Sequence, residues 1–222
     1  MKTNNYDAIA GSYDFLSRLV FSRAQVNAQV DLLSYIPSHA SVLIVGGGTG
    51  WILEEIAKIH TSGLKIVYVE ISSKMLDRAK KRRCGSNQVE FVHSNIEDYR
   101  VTQMFDVIHT AFLFDNFGQS RAGWVFHLLF KHLRPSGLWL YTDFKIEPGK
   151  GSGWKKAMLD LMYSFFGTIA HVEARKMAAM ERIFESNGCV IIGYQQYYKG
   201  FIESIIFQKS QKLPTFMENL ES

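Results

Sequence analysis

The chain has 222 residues, of which 47% are hydrophobic and 21% are charged, and its formal net charge is +4. This composition excludes an intrinsically disordered chain and is typical of one globular α/β domain with a full hydrophobic core. No apolar run approaches the ~20 residues that span a bilayer, and the polar start of the chain is unlike a signal peptide. We therefore expect a cytoplasmic protein without a transmembrane segment.

The cysteines, histidines and basic residues exclude further classes. Cys84 and Cys189 have no C-x-x-C spacing, which predicts free thiols in a reducing compartment. The histidines form neither H-x-H nor H-E-x-x-H, so we predict no metal site. The basic run Lys80-Lys81-Arg82-Arg83 is expected at a solvated helix end, where cations suit the helix dipole, and we predict no nucleic-acid partner.

The first predicted element is an amphipathic helix that ends before Pro37. Its apolar positions are Leu16, Leu19, Val20, Val26, Val30 and Leu33. Two Tyr-Asp pairs, Tyr6-Asp7 and Tyr13-Asp14, precede it. From the residues alone, the tyrosine rings are expected to pack this helix onto the sheet edge, with their hydroxyls reaching water.

The next stretch predicts a strand, a glycine-rich turn and a helix. The apolar run 42–45 is typical of a strand buried on both faces. Gly46-Gly47-Gly48-Thr49-Gly50 follows and is named the glycine loop, and apolar residues then recur at helical spacing from Ile52 to Ile59. Bare amides beside a helix N-terminus offer donors to a polar ligand, although a tight turn without a ligand also favours glycine.

A second strand, Leu64 to Glu70, ends in an acid twenty residues after Gly50. Adjacent parallel strands would place the Glu70 carboxylate at the same edge as the glycine loop, where it can accept both hydroxyls of a ribose. A nicotinamide fingerprint, G-x-G-x-x-G, fails because Trp51 or Leu53 stands where the third glycine is required. The glycines instead follow the order G-x-G-x-G.

The remaining predicted elements alternate between helix and strand. A helix capped by Ser72 follows Glu70, and a helix with Trp124, Leu128 and Leu129 facing inward precedes the fifth strand. The other strands are Gln88–His93, Phe105–Thr110 and Leu138–Asp143, and a hairpin of Val190–Tyr194 and Phe201–Phe207 closes the chain. An apolar helix around Met158 and a helix from Val172 to Ser186 lie before the hairpin.

These motifs together resemble class I S-adenosylmethionine-dependent methyltransferases. The resemblance is carried by the glycine loop, by 70–79 (EISSKMLDRA), by 92–98 (VHSNIED), by 105–108 (FDVI) and by 133–137 (LRPSG), in the order and spacing of that family. The doubled Tyr-Asp at the start is similar to methyltransferases of ubiquinone and menaquinone biosynthesis, in which this segment folds over the cofactor.

The resemblance implies a Rossmann-like α/β three-layer sandwich. Its seven-stranded, mostly parallel sheet has the order 3-2-1-4-5-7-6, with strand 7 antiparallel. One methyltransferase domain would span 1–222. It would comprise an N-terminal lid helix (1–37), a cofactor-binding core (38–146), an inserted lid helix (147–170), a C-terminal helix and hairpin (171–209) and a tail (210–222).

The resemblance also implies S-adenosylmethionine as cofactor and a set of binding residues. These are Gly46, Gly47, Gly48, Gly50, Glu70, Ile71, Met75, Asn95, Ile96, Thr110, Ala111 and the lid residue Tyr13. Ile71 and Met75 would sandwich the adenine, and Asn95 would accept from its N6 amine in place of the usual Asp. The simpler alternatives are that Met75 fills the core and that Asn95 is a turn residue.

The segment after the fourth strand bears on the methyl acceptor. It lacks the Asn- or Asp-Pro-Pro-aromatic motif of enzymes that act on amino groups of adenine or glutamine, and it lacks the Pro-Cys pair of cytosine C5 enzymes. Its apolar, aromatic character favours a small organic acceptor. Asp115 is predicted either as a general base or orienting group, or as a cap of the next helix. His109 and Asp143 are weaker candidates at the same edge.

One departure from the family leaves other functions open. The position two residues before the first loop glycine, usually an acid that orders the loop, is Ile44. A non-catalytic domain of the same fold that binds S-adenosylmethionine or a partner therefore remains an alternative, as does a nicotinamide oxidoreductase. An aminopropyltransferase is a remoter alternative. It would require several acids near the fourth strand to bind a polyamine, and only Asp115 is evident there. The chain is expected to act as a monomer or homodimer on a small-molecule acceptor.

Overall fold

The computed structural model describes residues 23–146, 153–159 and 178–211 of the chain. Within these residues, seven strands form one sheet in the order β3-β2-β1-β4-β5-β7-β6. The strands are β1 (Ser41–Val45), β2 (Ser62–Glu70), β3 (Ser86–His93), β4 (Phe105–Ala111), β5 (Leu133–Phe144), β6 (Cys189–Tyr197) and β7 (Ile202–Lys209). The predicted strand order is confirmed.

Helices cover both faces of this sheet. The helices are α1 (Ala24–Val30), α2 (Trp51–Ile59), α3 (Ser73–Ala79), α4 (Gln119–Phe130), α5 (153–159) and α6 (Met180–Ser186). Single turns of 3-10 helix occupy Leu33–Tyr35 and Phe114–Asn116. No helix in the described ranges is long and apolar enough to cross a bilayer.

Strands β1 to β5 are parallel to one another, and β7 inserts antiparallel between β5 and β6. The carboxyl ends of the parallel strands therefore meet at one edge of the sheet, named the carboxyl edge. Ligands of open α/β sheets bind at this edge, close to where the strand order reverses. Here the order reverses between β1 and β4, next to the glycine loop.

Strand β1 is buried on both faces, as its unbroken apolar run predicts. Leu43 and Val45 face a cluster formed with α4 and α6, whereas Val42 and Ile44 face a cluster formed with α2 and α3. Because successive side chains of a strand point to opposite faces, the short strand contributes to both layers of the core. The strand thus holds the glycine loop rigidly at the carboxyl edge.

The inward face of α4 differs from the prediction. Trp124 is 51% exposed, and the buried residues of this helix are Ala122, Val125, Phe126 and Leu129. These four positions follow the three- and four-residue spacing of one helix face, and residue 124 lies off that face. The size of the tryptophan ring therefore misled the prediction about which face is buried.

Several predictions lie outside the described residues. They include the lid residue Tyr13, all of the segment 1–22, the residues 147–152 and 160–177 around the inserted helix, and nearly all of the tail. In the described C-terminal part, the helix predicted from Val172 to Ser186 begins only at Met180, because residues 178 and 179 are not helical. Its end agrees with the prediction, because Gly188 follows α6 with a φ of 77°, and the hairpin turns at Lys199 and Gly200 as predicted.

Candidate cofactor and active site

The glycine loop leaves β1 through a series of left-handed turns. Gly46, Gly48 and Gly50 have φ values of 69°, 63° and 77°, a region that residues with a Cβ rarely adopt. A Cβ on Gly50 would lie 2.6 Å from the backbone of Ala79, so the loop packs directly on α3. A Cβ on Gly48 would have Met75 Sδ as its nearest neighbour, at 3.9 Å. The Cβ side of Gly48 therefore faces the open side of the loop.

Glu70 points at the glycine loop, as predicted. Its Oε2 accepts from Gly48 N at 2.9 Å and its Oε1 accepts from Ser72 N at 2.8 Å. Glu70 is only 4% exposed, and this burial raises the pKa of its carboxyl above the ordinary value of 4.5, against the opposing effect of the amides. The backbone of Ile71 also donates to this carboxylate, and because a carboxylate has about four lone-pair sites, acceptor capacity remains for a ligand.

Tyr68 is a site residue that sequence reasoning missed. Its hydroxyl donates to Gly48 O at 3.0 Å, and a Cβ on Gly47 would lie 2.4 Å from its ring. Tyr68 is the sheet partner of Ile44, the residue that replaces the loop-ordering acid. The tyrosine therefore orders the loop from the neighbouring strand. The signal in the sequence was the hydroxyl of Tyr68 within the otherwise apolar run 66–69.

Arg82 also contacts the loop and is the exception in the basic run, whose other three residues are exposed as predicted. Its Nε donates to Thr49 O at 3.0 Å, and its Nη1 lies 3.2 Å from Glu54 Oε2 on α2. The chain turns after α3 and brings this guanidinium back to the C-terminal end of the loop. Arg82 thus joins the loop to α2.

The residues predicted to sandwich the adenine follow Glu70 directly. Ser72 caps α3 by accepting from Met75 N at 3.2 Å, which confirms its predicted role. Met75 is 3% exposed and lies against Gly48, whereas Ile71 is half-buried and its carbonyl contacts His93 Nε2 at 3.0 Å. The structure therefore brings Ile71 and Met75 to the same edge as Glu70.

Asn95 follows β3 at the same edge, because Ser94 N donates to Glu70 O at 3.1 Å. Its side-chain amide is bonded to Glu97: Nδ2 donates to Glu97 Oε2 at 3.0 Å, and Oδ1 accepts from Glu97 N at 3.3 Å. Ile96 is 4% exposed and packs in the core cluster on the α4 side of the sheet. The turn interpretation of Asn95 therefore holds in part, and one oxygen lone pair stays available.

Thr110 and Ala111 end β4 beside the glycine loop. The Thr110 hydroxyl is buried and accepts from Trp139 Nε1 at 2.8 Å, so this side chain forms part of the buried core. Phe112 follows with a φ of 51°, an uncommon value for a non-glycine residue, and its amide donates to Thr142 O. This turn carries the chain back across β1, where Leu113 Cδ1 lies 3.3 Å from the Cβ position of Gly46.

Asp115 lies in the 3-10 turn that follows. Its Oδ1 accepts from Asn116 Nδ2 at 2.8 Å, and the residue is 9% exposed. The cap position of α4 is Gly118, with no side-chain cap, so Asp115 does not cap that helix. Burial first, and then the charge of Asp143, raise the pKa of Asp115 well above its ordinary value.

Asp143 belongs to an acidic cluster that the sequence did not reveal. Burial raises the pKa of Asp143, whose Oδ1 accepts from Phe144 N at 2.9 Å. Glu203 is its partner on β7, and Lys145 Nζ lies 2.8 Å from Glu203 Oε2 and from Glu181 Oε1. Burial by itself would lower the pKa of Lys145, yet these two acids raise it. The cluster therefore carries more acids than bases.

His109 is buried in mid-strand, away from the loop that holds Asp115. Neither ring nitrogen has a hydrogen-bond partner within the described part of the chain. Burial lowers the pKa of His109 to about 4, so the imidazole is neutral at physiological pH. Across residues 23–146, 153–159 and 178–211, no group of three or more His, Cys, Asp or Glu is arranged to hold a metal ion.

Residues 42–137 match the family described as a methyltransferase domain. The matched range begins in β1 and ends in β5, so it contains the glycine loop, Glu70, Asn95 and Asp115. The match covers less than half of the chain and shows a likeness to methyltransferase domains over this range.

Two further comparisons give similar proteins. Demethylmenaquinone methyltransferase from Clavibacter sepedonicus is 29% identical over 108 residues, which cover 48% of this chain and 42% of that protein. The chain therefore aligns with less than half of the length of this curated relative. One chain of the complex between the Haloferax volcanii Trm112 methyltransferase activator and a methyltransferase is 11% identical, with a TM-score of 0.71 over 95% of this chain and 100% of that chain.

The N-methyltransferase NodS from Bradyrhizobium japonicum WM9, in complex with S-adenosyl-L-homocysteine, is 13% identical. Its TM-score is 0.60 over 83% of this chain and 86% of that chain. At such identities the two solved structures show a shared fold.

Proposed function

We propose that this protein is a methyltransferase that binds S-adenosylmethionine at the carboxyl edge and transfers its methyl group to a small organic acceptor of aromatic or lipophilic character. The observation that carries the proposal is the Glu70 carboxylate, which is buried and directed at the amide of Gly48. A carboxylate in this place accepts the hydroxyls of a ribose, and the open face of Gly48 leaves room for the rest of the nucleoside.

Four segments would hold the cofactor. The glycine loop would offer its amides, Glu70 would accept from the ribose, Ile71 and Met75 would enclose the adenine, and Asn95 would accept from its amine. Ile96 would support the ring from the core side, and Thr110 and Ala111 would line the methionine end through their backbone. Gly46, Gly47 and Gly50 would shape the loop, and Tyr13 would close over it.

When bound, the cofactor supplies an electrophilic sulfonium methyl group. The protein then has to hold a nucleophile in line with the methyl group at ~3 Å and exclude water. The segment after β4 suits this task because it is apolar: the Phe112 ring is tilted against Phe144 with centroids 4.8 Å apart, and Phe114 meets Phe117 edge-on at 6.2 Å. These contacts support an aromatic or lipophilic acceptor.

Asp115 is the candidate for proton transfer. Once ionised, a carboxyl whose pKa is raised is a stronger base than an ordinary aspartate and can accept a proton from an acceptor hydroxyl. Asp143 supports this role indirectly, because its charge contributes to the raised pKa of Asp115. An acceptor that reacts through an activated carbon would depend on this base less than one that reacts through oxygen.

Calorimetry tests the proposal. Titration with S-adenosyl-L-homocysteine should give saturable heat at one site, and NADH should give none. Methyl transfer from labelled S-adenosylmethionine to a panel of quinols, phenols and lipophilic amines would then identify the acceptor class. No heat with either S-adenosyl compound would contradict the proposed function.

A further inference from the structure

We infer that the ion pair between Glu97 and Arg121 is a positioning device for Asn95, and that it makes the site selective for a nucleoside with a 6-aminopurine base. The inference rests on the proposed function, because it concerns how the proposed adenine contact is oriented. Neither residue touches the cofactor in this account, and both act through the amide of Asn95.

The contacts fix which way the amide of Asn95 faces. An ionised carboxylate has acceptors only, so Glu97 Oε2 requires the donor end of the amide, and Nδ2 lies 3.0 Å from it. The oxygen end meets the backbone amide of Glu97 at 3.3 Å. The flipped amide would set its oxygen against the carboxylate and its nitrogen against an N–H group. The orientation is therefore determined by Glu97.

Arg121 keeps Glu97 in place and ionised. Its Nε donates to Glu97 Oε1 at 2.9 Å and its Nη2 donates to Oε2 at 2.5 Å, a two-pronged contact of well-defined geometry. The side chains of Arg121 and Glu97 are 12% and 11% exposed, respectively. The guanidinium of Arg121 also lies 4.8 Å from the centre of the Phe117 ring. Its hydrogen bonds lower the pKa of Glu97, so the carboxylate stays an acceptor.

The orientation of the side chain matters because residue 95 is an asparagine. An aspartate at position 95 would present an acceptor in either orientation, whereas an asparagine presents one only when its oxygen faces the ligand. With Nδ2 held by Glu97, the free lone pair of Oδ1 can accept from the N6 amine of adenine. A 6-oxopurine places a carbonyl oxygen there instead, and two acceptors would face each other.

The test compares two nucleosides in the same protein. Affinities for S-adenosyl-L-homocysteine and for S-inosyl-L-homocysteine are measured by calorimetry in the wild type, in Glu97→Gln and in Glu97→Gln combined with Asn95→Asp. Arg134→Gln is the matched control, because Arg134 forms an ion pair with Asp106 at 2.6 Å at the opposite edge of the sheet. The ratio of the two affinities is the readout, and a general loss of stability does not change it.

We expect the wild type and the control to prefer the adenosyl compound by about tenfold, the worth of one well-made hydrogen bond. In Glu97→Gln the side chain at position 97 no longer requires the donor end of Asn95, and only the 3.3 Å contact with the backbone amide of residue 97 holds the orientation, so the preference should fall to about twofold. The double variant has an acceptor-only side chain at position 95, and the preference should return.

The outcomes separate this inference from the proposed function. If the wild type binds both compounds and Glu97→Gln keeps the full preference, the positioning role is wrong and the cofactor assignment stands. If the double variant does not regain the preference, the orientation argument is also wrong. If the wild type binds neither compound, the proposed function and this inference both fail.

Discussion

Gly47→Ala tests the contact between the glycine loop and the sheet beneath it. The added Cβ would lie 2.4 Å from Cζ of Tyr68, whereas non-bonded carbon atoms prefer roughly 3.5–4.0 Å. Tyr68 is fully buried, so its ring has no free space into which it can move. Either the loop or the ring must shift by about 1 Å.

The magnitude follows from two contributions. Overpacking of a core of this kind costs about 1–3 kcal/mol, and loss of the hydrogen bond from Tyr68 to Gly48 costs about 1 kcal/mol more. We expect the free energy of unfolding to fall by about 2–4 kcal/mol, measured by urea denaturation with fluorescence and circular dichroism.

Two variants complete this experiment. Gly123→Ala is the control, because a Cβ on this α4 glycine meets nothing within 4 Å, and it should stabilise the protein by up to about 1 kcal/mol through helix propensity. In the Gly47→Ala background, Tyr68→Leu should cost less than it does in the wild type, because the clash is relieved. A Gly47→Ala protein as stable as the wild type would refute the reasoning.

Four further predictions follow from the site. Glu70→Gln should weaken binding of S-adenosyl-L-homocysteine by about 1–3 kcal/mol in calorimetry, because ribose hydroxyls lose an acceptor. Because ligand donors favour ionised Glu70, whose pKa burial raises, wild-type affinity should increase as the pH rises through that raised pKa and then level off, with proton release on binding. Arg121→Ala should lower the free energy of unfolding by about 3 kcal/mol near neutral pH, since it leaves the Glu97 carboxylate buried without its partner. Asp115→Asn should reduce kcat by about 10²-fold or more, with cofactor affinity unchanged.

Each of these predictions has its own contrary result. Affinity that is unaffected by Glu70→Gln would remove Glu70 from the site, and an identical pH profile in that variant would assign the proton to another group. The ion pair with Arg121 holds the pKa of Glu97 below 4.5. The stabilisation from this ion pair is therefore complete above pH 4.5 and is lost as the pH falls through the lowered pKa of Glu97. A stability deficit of Arg121→Ala that persists unchanged in strong acid would contradict this linkage. Loss of cofactor binding in Asp115→Asn would indicate a structural role.

The sequence predicted the parts of the fold that depend on local pattern. The glycine loop between an apolar strand and an amphipathic helix, and an acid at the end of the next strand, determine where Glu70 lies, because parallel strands share a register. The same logic placed Ser72 as the cap of α3. These features need no knowledge of contacts between distant segments.

The parts it missed depend on contacts between distant segments. Tyr68 reaches the loop because β2 is registered against Ile44 of β1, a pairing that the apolar run of β2 does not reveal. Arg82 contacts Thr49 because the chain reverses after α3. The acidic cluster arises because β7 inserts beside β5 and sets Glu203 opposite Asp143.

In the proposed function, the glycine loop and Glu70 bind the same nucleoside. A crystal structure with S-adenosyl-L-homocysteine tests it most directly. We expect both ribose hydroxyls within hydrogen-bond distance of the Glu70 carboxylate, with the amino-acid end of the ligand against the glycine loop. A ligand bound elsewhere, with the Glu70 carboxylate making no contact with it, would contradict the proposed function.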